Sequence, residues 1–181
     1  GEDEMDGGDG NDIMIGDFYY ARDDTAYSYT TSGNVIYQGG NDVMTGGAGN
    51  DTISGDYYYT RSYTDYWTGF YGGADTIEGG EGNDQLYGDF VSNYSTGSYS
   101  TGGGADVFVF NPNSGADNIR DFQDGIDKLD VSGYGFTSVA DMFIGNNGSQ
   151  TFIDFGGTAS PGTDYVYLQG IFTITDDDFI F

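Results

Sequence analysis

The chain has 181 residues, with no cysteine and no histidine. Without cysteine there is neither a disulfide nor a thiolate zinc site. Without histidine there is no catalytic triad or zinc centre of the kind that needs an imidazole. Basic residues are nearly missing as well: Arg22, Arg61, Arg120 and Lys128 stand against 30 acidic residues, for a net charge of -26. Nucleic acid and anionic membranes are therefore poor partners, since like charges repel over the whole surface. No apolar run approaches the roughly 18 residues of a membrane span, and the opening Gly1-Glu-Asp-Glu-Met5 is no signal peptide. So much acid among 33 glycines reads as disorder unless the carboxylates have cations to bind.

What is present is an aspartate on a regular grid. Three full nonapeptides read Gly-Gly-x-Gly-x-Asp-x-apolar-x, with aspartates at Asp12, Asp51 and Asp84 and apolar residues at Met14, Ile53 and Leu86. Shorter copies place Asp3, Asp42, Asp75, Asp106 and Asp117 before Met5, Met44, Ile77, Phe108 and Ile119. The chain opens inside this pattern, which is expected of a piece of a longer protein.

The spacings imply an architecture. Asp42 to Asp51 and Asp75 to Asp84 are nine residues apart, whereas alternate steps exceed nine by 21, 15 and 13 residues. If two nonapeptides make one coil, Asp12, Asp51, Asp84 and Asp117 stack along one edge. Asp3, Asp42, Asp75 and Asp106 stack along the other, from which all three insertions leave. One edge is bare and one decorated. Each turn feeds a three-residue strand whose middle side chain points inward, and coils lie about 4.8 Å apart. Two unit charges at that spacing repel by roughly 0.9 kcal/mol in water and several-fold more at lower dielectric. A column of aspartates needs cations, and calcium, a hard ion that takes carboxylates and carbonyls together, suits it better than magnesium.

On these motifs the chain resembles the RTX (repeats-in-toxin) family, the hemolysin-type calcium-binding repeats of secreted bacterial proteins. The resemblance spans roughly residues 1–130 and extends into the tail. It implies an all-β fold: a parallel β-roll, or calcium-binding solenoid, with several Ca2+ ions held between stacked turns. It implies ligand roles for Asp3, Asp12, Asp42, Asp51, Asp75, Asp84, Asp106 and Asp117, and for Gly8, Gly10, Gly47, Gly49, Gly80 and Gly82. It also implies a secreted or cell-surface location and a C-terminal signal read by a type I secretion apparatus. The insertion-side turns lack the full glycine set, which marks weaker calcium or extra ligands there.

Residues 1–120 are thus expected to form the roll, with tyrosine-rich hairpin insertions at 17–38, 56–72 and 89–103. Residues 121–181 are expected to form a β-rich cap and secretion-signal region. Asp17, Asp56 and Asp89 open the three insertions as Gly-Asp-aromatic, either as turn anchors or as further calcium ligands. Asp121, Asp124 and Asp127 surround a turn and either hold one more ion or are solvated acids. The insertions either stack on each other or present Tyr20, Tyr29, Tyr58, Tyr63, Tyr66 and Trp67 to a glycan or protein ligand, as in an adhesin. In the tail, Ser138-Val-Ala-Asp141 predicts a short capped helix. Asn146-Asn-Gly148 predicts a hairpin turn, with strands near 151–155 and 165–175 closing the roll. The ending Phe179-Ile-Phe181 reads as a last strand. The expected function is a calcium-folded export module rather than an enzyme, because the regular carboxylates already have a metal role.

Overall fold

The structure is a computed structural model that describes residues 1–22, 35–61, 68–93, 99–156, 163–170 and 172–181. Its strands are β1 (Glu4–Asp6), β2 (Ile13–Arg22), β3 (Val35–Gln38), β4 (Val43–Ala48), β5 (Thr52–Arg61) and β6 (Thr68–Tyr71). They continue with β7 (Thr76–Glu81), β8 (Gln85–Asn93), β9 (Tyr99–Gly102), β10 (Val107–Val109) and β11 (Ala116–Ile119). The last are β12 (Lys128–Asp130), β13 (Phe143–Asn146), β14 (Gln150–Asp154), β15 (Tyr165–Gln169) and β16 (Phe179–Ile180).

Alternate nonapeptides feed alternate sheets. One sheet runs β1-β4-β7-β10-β12-β16, and the sheet facing it runs β2-β5-β8-β11-β15-β14-β13. Every pairing within the repeats is parallel and in register, so the inward residues stack: Met5 on Met44 on Ile77 on Phe108 on Leu129, and Met14 on Ile53 on Leu86 on Ile119. From Met44 and Ile53 onward these side chains are almost wholly shielded from water. Each fully buried Leu, Ile, Met or Phe contributes about 1.5–3 kcal/mol. One such residue per short strand is a thin core for so charged a chain. The parallel β-roll expected from the spacing is the fold observed.

The insertions differ from hairpins. Their outgoing limbs are extensions of β2, β5 and β8 in the roll's own sheet, and their returning limbs β3, β6 and β9 form a separate three-stranded parallel sheet. Among the described residues the two limbs of one insertion do not pair with each other; each pairs with its counterpart in the next coil. Stacking of identical limbs wins because a parallel ladder continues the roll's register without a new turn type. The middle of each insertion lies outside the described residues, and with it Tyr29, Tyr63, Tyr66 and Trp67. Tyr20 and Tyr58 lie on β2 and β5.

The tail closes the stack. β15 adds in parallel to β11, the hairpin β13–β14 pairs antiparallel beside it across the Asn147–Ser149 turn, and β16 adds in parallel to β12. Phe110, Val131, Ile153, Phe155, Val166 and Leu168 continue the roll's apolar core into the cap as one cluster. The expected helix at Ser138–Asp141 is one 3-10 turn, Val139–Asp141, because Asp141 folds its carboxylate back onto the Thr137 and Ser138 N–H groups and the chain then extends into β13. The last long strand stops at Gln169, where Gly170 takes φ +131°. Among the described residues no helix is long and apolar enough to cross a membrane.

Candidate metal centre

Both aspartate columns exist. On the bare edge the backbone N–H of Asp12 donates to Asp51 Oδ1 at 2.8 Å, that of Asp51 to Asp84 at 2.8 Å, and that of Asp84 to Asp117 at 3.0 Å. On the decorated edge the same bond links Asp3 to Asp42, Asp42 to Asp75, and Asp75 to Asp106, at 2.7, 2.8 and 2.9 Å. A fifth member closes that column, as Asp106 N–H donates to Asp127 Oδ1 at 3.2 Å. One oxygen of each carboxylate thus staples two coils. The other is different: Oδ2 of Asp12, Asp42, Asp51, Asp75, Asp84 and Asp106 is buried and accepts no hydrogen bond. Leaving a buried polar atom so costs about 1–3 kcal/mol, and more when it is charged.

The glycines shape what lies around that oxygen. A Cβ added at Gly7 would lie 2.5 Å from the Gly46 carbonyl oxygen and 2.9 Å from Asp12 Oδ2. One at Gly46 would collide with the Gly79 carbonyl oxygen and Asp51 Oδ2. A carbonyl of the following coil and the turn's own Oδ2 therefore converge on the first glycine of the first two full motifs, and at Gly79 the Asp84 carboxylate alone approaches. These carbonyls belong to Gly46 and Gly79, while the carbonyls of Gly8, Gly10, Gly47 and Gly49 face the bare backbone of Gly47, Gly49, Gly80 and Gly82 in the next coil. The carbonyls of Gly8 and Gly82 accept ladder bonds from Ala48 and Ala116 at 2.8 and 3.1 Å. Gly47 and Gly49 also take positive φ, +101° and +144°, which the backbone path of the turn requires. The signal for Gly46 and Gly79 was in the sequence, since every full copy begins with that glycine.

The decorated edge repeats this arrangement in an opened form. A Cβ at Gly16 would meet Asp42 Oδ2 and the Gly55 carbonyl oxygen, and one at Gly55 would meet Asp75 Oδ2 and the Gly88 carbonyl oxygen. Gly16 and Gly55 thus occupy the first motif position, and Gly40, Gly73 and Gly104 the fourth. Asp17, Asp56 and Asp89 stand at the second, where the bare edge has glycine. Each insertion, 18–39, 57–72 or 90–103, replaces the single third residue of a complete turn. Its neck is clipped: Gly40, Gly73 and Gly104 donate their N–H groups to Oδ2 of Asp17, Asp56 and Asp89 at 2.7, 2.6 and 2.8 Å. The turn-anchor reading of these aspartates therefore holds. Yet Oδ1 of Asp56 and of Asp89 is buried with no hydrogen-bond donor, as a ligand atom would be.

Carboxylate oxygens of Asp17, Asp42 and Asp56 all lie within 4.8 Å of one another. Two full charges at that distance repel by roughly 3.5 kcal/mol at an effective dielectric of about 20. Burial, reinforced by neighbouring carboxylates, raises the Asp75 carboxyl to about 8, Asp106 to about 9 and Asp117 to about 8. Burial also raises Asp56 and Asp84 to about 6 and Asp89 to about 7. Asp75, Asp106 and Asp117 thus retain protons near neutrality unless a cation takes their place.

Beyond the repeats, Asp121 accepts from the N–H groups of Gly88 and Asp89, and Asp127 from those of Gln123 and Asp106. All four of these oxygens have backbone donors, so the pair anchors the end of the decorated edge, while Asp124 is exposed. Sequence reasoning missed Asp164, which ends the bare edge: its carboxylate accepts from the N–H groups of Asn113 and Gly115 and meets the Tyr134 hydroxyl at 3.1 Å. It also missed an asparagine ladder, in which Asn50 and Asn83 N–H donate to Oδ1 of Asn11 and Asn50 at 2.9 and 2.8 Å.

The model of the peptidase M10 serralysin C-terminal family matches residues 3–155. Among curated proteins none matches significantly. Of solved structures, the AlgE6R3 subunit of the Azotobacter vinelandii mannuronan C5-epimerase is 21% identical, with a TM-score of 0.47, 82% of this chain and 80% of that one covered. The AlgE6R2 subunit of the same enzyme is 23% identical, with a TM-score of 0.46 and coverages of 84% and 94%. The extracellular lipase LipA of Serratia marcescens is 14% identical at a TM-score of 0.35, covering 91% of this chain and 42% of that one.

Proposed function

The chain belongs to the peptidase M10 serralysin C-terminal family, and from that premise we propose that it is a calcium-binding module which folds outside the cell and supports type I export of a larger protein. The observation that carries the calcium reading is the set of buried Oδ2 oxygens on both edges, each without a protein donor, those of Asp12, Asp42, Asp51 and Asp75 each converging with a glycine carbonyl on the bare backbone of another glycine. Oxygen donors of two kinds, spaced by the coil repeat, suit a hard cation of adaptable coordination. The motif aspartates and the carbonyls of Gly46, Gly79, Gly55 and Gly88 would hold it, and its charge would offset the repulsion within each column.

Folding follows by linkage. An ion that binds the stacked coils and not the unfolded chain adds its binding free energy to stability. Without it the thin core must hold the -26 of charge unaided. Extracellular calcium modules of this kind bind at about 10⁻⁴–10⁻³ M, so the chain stays loose where calcium is scarce and folds where it is abundant. The export role rests on the family and on the placement of the last strand in the cap. No catalytic role is assigned to the carboxylates. The insertions are read as stacked limbs that widen the roll, as with the Phe18 and Tyr57 rings, parallel within 15° at 5.3 Å. Circular dichroism tests the reading: a random-coil spectrum in chelator is expected to become β-rich in millimolar calcium. The same β spectrum in both would overturn it.

A further inference from the structure

The decorated edge carries one carboxylate per turn that the nonapeptide motif lacks. Asp17 and Asp56 stand where the bare edge has Gly8 and Gly47, and they pair in register across adjacent strands. Between them lies Asp42, 1% exposed, whose Oδ2 points to the bare backbone of Gly16 and has no donor. Asp56 is 0% exposed, and its Oδ1 is likewise without a donor. Among the described residues this is the one group of three acids whose ligand atoms lie within 4.8 Å of one another.

We propose that Asp17, Asp42 and Asp56 form a three-carboxylate calcium site at the neck of the first insertion, tighter than the sites of the bare edge. The inference rests on the calcium reading above and reverses its natural order of strength: the turns that look degraded in sequence bind first. Charge count is the reason, since calcium affinity in oxygen sites rises with the number of carboxylates and the rigidity of the loop. Rigidity is supplied by the clip, in which Gly40 and Gly73 N–H groups hold the Oδ2 atoms of Asp17 and Asp56. That clip is made in the folded neck alone, so the site also ties the insertion to the roll.

Calorimetric titration of the full chain with calcium tests this. The wild type is expected to show a tight phase followed by a weaker one. Asp17→Asn and Asp56→Asn should each weaken the tight phase at least tenfold and leave the weaker one in place. Asp51→Asn on the bare edge should do the reverse. Asparagine keeps an oxygen for the neck clip, and Asp17 lies at the half-buried rim, so its variant decides the matter even if Asp56→Asn fails to fold. Tight phases unchanged in Asp17→Asn, or lost in Asp51→Asn, would overturn the site while leaving the calcium module standing. A wild type that takes up no calcium would overturn both.

Discussion

Asp51 donates its backbone N–H to Asp84 Oδ1 at 2.8 Å, while the second oxygen of that same Asp84 carboxylate is buried without a donor. One side chain therefore performs two separable tasks, stapling a coil and facing a cation. Asparagine retains the first task and loses the charge needed for the second; alanine loses both. Asp84→Asn is expected to raise the calcium midpoint for folding several-fold, with a well-formed roll at saturating calcium. Asp84→Ala should in addition lower stability at saturation by about 1–3 kcal/mol, the cost of a buried N–H left without an acceptor. Calcium titrations by circular dichroism and thermal melts of both variants read this out. Identical melts at saturation would contradict the staple.

The raised carboxyls make stability depend on pH in a direction opposite to the usual acid denaturation. Asp75, Asp106 and Asp117 titrate at about 8, 9 and 8 in the folded chain against an ordinary value of 3.8, chiefly because they are buried. Without calcium the folded state then holds more protons than the unfolded one between roughly pH 4 and 9. That contribution is fully present below the ordinary value, falls as pH rises above about 4, and is lost once pH has passed through about 8 to 9. In chelator, the β signal should be stronger at pH 5 than at pH 8. With calcium, the folding midpoint should move to higher concentration as pH falls, because protons compete for the same oxygens. A chelated chain that gains structure on going from pH 5 to pH 8 would contradict the assignment.

Gly79 and Gly148 separate crowding from backbone conformation. A methyl at Gly79 would collide with Asp84 Oδ2, whereas Gly148 has φ +92° with open space around it. Gly148→Ala should cost only the left-handed strain, about 1–2 kcal/mol. Gly79→Ala should block the approach of a cation to Asp84 and flatten the bare-edge part of a calcium titration. Equal effects on calcium uptake would count against the cradle.

The insertions should be removable. Residues 57–72 occupy one position of a complete turn between Asp56 and Gly73. Replacing them by a single glycine restores a nine-residue step and is expected to preserve calcium-induced folding, measured by circular dichroism and by size-exclusion elution before and after calcium. Loss of folding in that variant, at saturating calcium, would show that the limb stack is required by the roll.

The roll itself was legible because its two periodicities coincide: an aspartate every nine residues and an inward apolar residue two positions later. Counting Asp12, Asp51, Asp84 and Asp117 against Asp3, Asp42, Asp75 and Asp106 is enough to sort the turns onto two edges. Among the described residues the limbs of each insertion do not pair as a hairpin, for a definite reason. Alternation with a glycine turn marks two strands, but not whether they pair with each other or with the next coil, and here the parallel ladder prevails. The approach of the Gly46 and Gly79 carbonyls to Gly7 and Gly46 is a property of stacked coils, which no single repeat displays. Asp164 lies 47 residues beyond Asp117 and outside any repeat, so nothing in its local sequence links it to the bare edge.

The asparagine ladder carries a last consequence. Asp51 donates forward, to the coil after it, whereas Asn50 donates backward, to Asn11 in the coil before it. Two adjacent residues thus grip their neighbours in opposite directions. A strand that slid by one position would break the asparagine-to-asparagine and the aspartate-to-aspartate match together, and would turn its inward residue out to water. The edge behaves as a detent: every coil is checked for alignment from above and from below, and a mis-registered stack fails at each step instead of at the end.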